Sequence, residues 1–150
     1  MSQPCELCAG DGGEAVWRHA DFRVVLVDEP DYPGFCRVIW NGHVKEMTDL
    51  APAQRTLLSD AVWATEAAVR EVMAPEKVNL ATLGNMTPHV HWHVIPRYVD
   101  DRHFPSPVWA APRRDADAAT LQARRALLPQ LREAICRQLG AAGLPGSPAA

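Results

Sequence analysis

The chain changes its hydrophobic period several times along its length. Glu14 to Val27 alternates weakly and then runs FRVVLV, which predicts a hairpin or strand pair ending at the turn DEPDYPG. FCRVIW predicts the next strand. From Pro52 to Met73 apolar residues fall at Leu57, Leu58, Ala61, Val62, Thr65, Val69 and Val72. That is helical spacing, with Pro52 in the first turn. KVNLATL (77–83) reads as a strand, LGNMTP as a tight connection, and HVHWHVIP as the strand after it. The connection is too short for a crossover, so these two strands are expected to be antiparallel. A second helical pattern spans about Asp117 to Leu139, with Pro129 set to break or kink it. This order predicts an α+β fold, one mostly antiparallel sheet with helices on one face. The other face is free to carry a site. From Gly140 the tail GAAGLPGSPAA is small and rich in Pro and Gly, and is expected to be disordered.

Composition narrows the function. The chain has 150 residues, 47% hydrophobic and 22% charged, and a formal charge of −3. One domain with its own core is expected. There is no general field for polyanions, so nucleic acid is not an expected partner and any phosphate binding must be local. No apolar run spans a bilayer, and MSQPCELCAG lacks the features of a signal peptide. A cytoplasmic protein without a membrane partner is the expectation. Cys36 and Cys136 lie in apolar stretches and read as small buried hydrophobes. Cys5 and Cys8 form C-x-x-C, a redox pair or half of a metal site.

Three of six histidines fall on alternate positions, His89, His91 and His93, with Val90, Trp92 and Val94 in the other phase. On a strand this makes one apolar face and one row of imidazoles. Solvated surface histidines are the bland alternative. A single metal held by all three is strained: positions i and i+4 lie about 13 Å apart on a strand, whereas zinc takes nitrogen at about 2.0–2.1 Å. Phosphate chemistry suits the row better. A neutral imidazole is a nucleophile near pH 7, and a neighbour on the same face can donate to phosphate oxygen.

HVHWHVI resembles the H-φ-H-φ-H-φ-φ signature of the histidine-triad (HIT) family of nucleotide hydrolases and transferases, φ being apolar. The run VLVDEPDYPGFCRVIWNGHVKEMTDL is similar to the family's earlier segment, and the likeness covers roughly residues 5 to 110. The resemblance implies a HIT-like antiparallel sheet of about five strands with two main helices, the domain occupying residues 1–139 and the tail 140–150. It implies a nucleotide substrate, a dinucleoside polyphosphate or nucleoside phosphoramidate, cleaved at the α-phosphate through a covalent nucleotidyl-histidine. His91 would be the nucleophile, His93 a donor to phosphate oxygen, and His89 a support or metal ligand. Gly84 and Asn85 would lie in a phosphate-facing loop, and Asn85 and Thr87 would contact phosphate or leaving group, with turn chemistry as the alternative for both. This loop is shorter than in many relatives and lacks a familiar Gly-Gln and hydroxyl-bearing segment.

Asp28 would hold the ribose hydroxyls, or simply begin the turn. Leu26 and Val27 are candidate walls for the base. Arg97 is a candidate phosphate contact or an exposed structural arginine. Many relatives bind a structural zinc through residues matching Cys5, Cys8, His43 and His89 here; no organic cofactor is implied. His19 and His103 read as surface residues. Trp109 lies where relatives place elements near the substrate or partner, or simply packs. A homodimer is implied. A non-catalytic nucleotide sensor and a hydrolytic metalloenzyme are the competing functions.

Overall fold

The structure is a computed structural model describing residues 4–150, so the first three residues of the expected domain lie outside it. Its elements are α1 (Glu6–Ala9), β1 (Glu14–Arg18), β2 (Phe22–Leu26), β3 (Cys36–Trp40), α2 (Pro52–Met73), β4 (Lys77–Ala81), β5 (His91–Arg97), α3 (Ala118–Arg125), α4 (Leu128–Ala141) and β6 (Ser147–Pro148). The strands form one sheet in the order β4-β5-β3-β2-β1-β6, and every pairing is antiparallel.

Alternation divides the sheet into two faces. Phe22, Val24 and Leu26 of β2, Cys36, Val38 and Trp40 of β3, and Val94 of β5 enter the main core. There they meet Leu58, Ala61, Val62, Ala68 and Val69 of α2, and Leu131, Ala134, Ile135 and Leu139 of α4. The helical stripe read from the sequence is therefore the buried one. The first turn of α2 is closed by Ala51 N–H donating to Gln54 Oε1 at 2.8 Å, with Pro52 where no intrahelical N–H is needed. Its last turn stops at Ala74, in the left-handed conformation and followed by Pro75.

The opposite phase points away from the helices. It carries Arg23 and Val25, Arg37 and Ile39, and on β5 His91, His93, Ile95 and Arg97. Leu7 of α1 covers Val25 and Ile39. Tyr32 and Phe35 pack with Ile95.

Three features depart from the sequence reading. Among the described residues the sheet has six strands where about five were expected, and two short helices, α1 and α3, join the two main ones. The second helical pattern is two helices, separated by Ala126 and Leu127 just before Pro129. The tail expected to be disordered extends α4 to Ala141 and pairs Ser147–Pro148 with Trp17 and Arg18. Trp17 Nε1 donates to the Pro145 carbonyl at 3.2 Å, and Leu144 packs on the core. Local composition concealed these long-range contacts. Among the described residues no helix is long and apolar enough to cross a membrane.

Candidate active site and metal centre

The histidine row divides between two tasks. Strand β5 begins only at His91, and His89 stands in the connection before it. His89 is buried, and its Nε2 lies 2.5 Å from the Trp40 carbonyl. A carbonyl can only accept, so Nε2 carries the proton and Nδ1 keeps its lone pair. Nδ1 faces Cys5 Sγ at 3.4 Å and Cys8 Sγ at 3.5 Å. His43 Nδ1 reaches Cys8 Sγ at 3.3 Å. One ligand atom from each of the four residues falls within 4.8 Å of every other. Zinc–sulfur and zinc–nitrogen bonds of about 2.3 and 2.05 Å give a tetrahedral S···N edge of roughly 3.6 Å. The observed edges fit that figure. A ligating histidine that donates its other nitrogen to a carbonyl is also the usual supporting arrangement. Helix α1, too short to stand out in the sequence, brings Cys5 and Cys8 together beneath the sheet face.

His91 follows from the same backbone. Its Nδ1 lies 2.6 Å from the His89 carbonyl, so Nδ1 donates and Nε2 of the neutral ring carries the free pair. The His93 ring stands edge-on to it, 4.8 Å between centroids and 84° between planes. His93 is buried, and burial, then repulsion from His91 when that ring is protonated and from Arg37, push its pKa down to about 4. At neutral pH it is an uncharged ring with one N–H to give. Its Nδ1 is buried without a partner.

Beyond His93 lies a cleft of about 210 Å³, lined by Val27, Glu29, Asp31, Tyr32, Phe35, Arg37, His93, His103, Val108 and Trp109. Trp109 is 54% exposed and sets its indole against His93, 5.2 Å between ring centroids. A second, open cleft of about 490 Å³ is lined by His43, Lys45, Glu46, Leu83, Gly84, Asn85 and Pro88. His91, 7% exposed, lines neither and sits between His89 and His93 on the strand.

The other expected residues are placed unevenly. Gly84, at φ +85°, and Asn85 lie in the second cleft. Thr87 donates to Glu6 Oε1 at 2.7 Å, tying the loop to α1. Asp28 is exposed and outside the cleft beside His93, where the carboxylates are Glu29 and Asp31. Val27 does line that cleft, whereas Leu26 is buried in the core.

Arg97 is not exposed. It is buried and binds Asp101 through Nε at 2.7 Å and Nη2 at 3.1 Å. Its role is to hold the loop after β5. His103 is not a bland surface residue either. Tyr32 O–H donates to Asp101 at 3.1 Å, so the 2.6 Å contact between the Tyr32 oxygen and His103 Nδ1 has the histidine as donor. Glu29, Tyr32 and Arg37 went unread in the sequence. Arg37 carried a signal: it breaks the apolar run FCRVIW in the phase opposite to Cys36, Val38 and Trp40.

The arrangement joins an imidazole with a free ring nitrogen, a neutral N–H donor beside it, and a cysteine–histidine cluster behind. Known proteins share the fold. No curated protein sequence matches the chain. Among solved structures, a histidine triad protein from Marinobacter aquaeolei VT8 is 27% identical with a TM-score of 0.67, over 89% of this chain and 97% of that one. A histidine triad protein from Bradyrhizobium japonicum is 24% identical with a TM-score of 0.68, over 85% and 91%. A zinc-bound histidine triad family protein from Mycobacterium smegmatis is 24% identical with a TM-score of 0.57, over 87% and 96%. The HIT domain family model matches residues 13–100, which hold His43, the triad and the whole sheet from β1 to β5. With that match over more than half its length, this chain belongs to the histidine-triad (HIT) family.

Proposed function

We propose that the chain is a nucleotidyl hydrolase or transferase acting on a dinucleoside polyphosphate or a nucleoside phosphoramidate. His91 Nε2 attacks the α-phosphorus, forming a P–N bond as the bond to the leaving group breaks. Water or another acceptor then forms a P–O bond, breaks the P–N bond and frees the nucleotide. The observation that carries this reading is the 2.6 Å bond from His91 Nδ1 to the His89 carbonyl. It holds the tautomer in which Nε2 is the nucleophile. His93 supplies its N–H to a phosphate oxygen as charge develops.

Cys5, Cys8, His43 and His89 hold a structural zinc in this proposal, supported by the S···N distances and by the zinc-bound relative. When bound it would fix α1 and the His89 ring, and through the His89 carbonyl the nucleophile. Four free cysteines fit a reducing, cytoplasmic setting. A homodimer is proposed through α2 and β4. Trp63 of α2 is 49% exposed, and β4 is a sheet edge followed by exposed Leu83. Trp63→Glu is expected to shift the species seen by light scattering from dimer to monomer. An unchanged mass for wild type and variant would remove that assignment.

A second reading, a nucleotide-binding module without turnover, draws on the near-complete burial of His91. The two readings separate on a substrate panel of adenosine and guanosine phosphoramidates and dinucleoside polyphosphates. The enzyme reading expects His91→Ala to bind nucleotide and release no product. Equal turnover by wild type and variant would sink it, and binding without turnover by the wild type would favour the module.

A further inference from the structure

Arg23, Arg37 and Arg97 stand on the histidine face of the sheet, and their donors meet different fates. Arg23 is satisfied by the carbonyls of Leu7, Gly10 and Asp11 and by Asn41 Oδ1. Arg97 gives its Nε–Nη2 edge to both oxygens of Asp101 and its Nη1 to Asn79. Arg37 makes one bond, from Nη1 to the Gly12 carbonyl at 3.1 Å. Its Nε is buried without an acceptor, and no ion pair among the described residues involves it. The edge that clamps a carboxylate in Arg97 is thus unfilled in Arg37. A guanidinium edge of this kind matches the spacing of two oxygens on a carboxylate or phosphate.

Register places the unfilled edge beside the chemistry. Arg37 is the direct cross-strand partner of His93, whose Nδ1 is also buried without a partner. Both line the same cleft. His91 lies two residues along β5, opposite Ile39. Successive same-face positions are about 6.6 Å apart on a strand. A group on Arg37 is therefore displaced from the phosphorus that His91 attacks. Of the cleft's carboxylates, Asp31 is paired with Arg102 at 3.0 Å. Glu29 is the other carboxylate of the cleft.

We propose that Arg37 is a substrate-binding residue whose Nε–Nη2 edge receives a second phosphoryl group, adjacent to the α-phosphate. The inference rests on the nucleotide reading above and deepens it: it selects substrates with at least two linked phosphates over a phosphoramidate of a monophosphate.

The test compares affinities by calorimetry for adenosine and guanosine 5′-monophosphates and their α,β-methylene diphosphates. Wild-type protein is expected to bind the diphosphate analogue about tenfold or more tightly than the monophosphate, the scale of a charge-assisted fork. Arg37→Met is expected to bring that ratio close to one while monophosphate affinity stays within about threefold. Arg37→Lys keeps a charge and the buried stem without the planar fork, so it tests the same ratio if the methionine variant does not fold. A wild-type ratio near one, or an unchanged ratio in a folded variant, overturns the role of Arg37 alone. Absence of binding to every nucleotide overturns the nucleotide reading with it.

Discussion

Replacing Asp101 with asparagine should unfasten one wall of the cleft. The Asp101 carboxylate accepts from Arg97 Nε and Nη2, the Tyr32 hydroxyl, and the backbone N–H groups of Tyr98, His103 and Phe104. The Arg97 and Asp101 side chains are 3% and 1% exposed. Burial pushes the Asp101 pKa up, but the Arg97 bonds and the three N–H donors outweigh it and hold the carboxyl at about 2. Against an ordinary value of 3.8, that shift corresponds to roughly 2–3 kcal/mol at 1.36 kcal/mol per pKa unit. Breaking a buried pair while leaving the partner charged costs about 3–5 kcal/mol. A central figure of about 3 kcal/mol lowers Tm by roughly 6–12 °C in a domain of this size. The folded pKa lies below the unfolded one, so this stability is complete above about pH 4 and is lost as pH falls toward 2. Thermal and urea unfolding at pH 7 would measure the loss. The loop carrying His103 and Trp109 should also lose protection from hydrogen exchange before the sheet does. A variant within about 1 kcal/mol of wild type, or an equal loss in both at pH 2, would refute the reasoning.

Other outcomes follow from the two halves of the histidine row. His93 has a folded pKa of about 4 against 6.5, so the unfolded chain takes up its proton first as pH falls. Its contribution is present above about pH 6.5 and declines toward pH 4, by roughly 3–4 kcal/mol. His93→Gln should flatten the stability profile in that window, and an identical slope would count against a buried neutral ring. Chelation should release about one zinc per chain by atomic absorption and lower Tm by several degrees. Cys8→Ser should mimic chelation, and metal-free wild-type protein with unchanged Tm would dismiss the structural site. If a catalytic metal were present instead, turnover would vanish on chelation while the fold persisted.

Where pattern and packing coincided, the sequence was readable. The stripe from Leu58 to Val69 and the alternation of Val90, Trp92 and Val94 face the core because their period matches their element. The histidine spacing announced a chemical face, and the resemblance to HIT relatives implied a cluster of Cys5, Cys8, His43 and His89 that the structure brings together. The split of the row was not readable. It depends on His89 lying two residues before β5 and on a bond to the Trp40 carbonyl 49 positions away. The cleft was hidden for a similar reason. Tyr32, Arg97 and Asp101 are far apart or ambiguous in sequence, and only the burial of one carboxylate draws them together. Asp28 and Glu29 are neighbours in a turn, and composition does not distinguish the one that faces the cleft from the one that faces water.

The proposed reaction depends most on His91 Nε2 bonding to phosphorus. The direct measurement is intact and peptide mass spectrometry after rapid acid-free quenching of a reaction with an adenosine or guanosine phosphoramidate or dinucleoside polyphosphate. The predicted result is one added nucleotide monophosphate per chain, mapped to the peptide bearing residue 91 and missing in His91→Ala. Product formation by wild type with no adduct at any time point, or with an adduct on another residue, would contradict it.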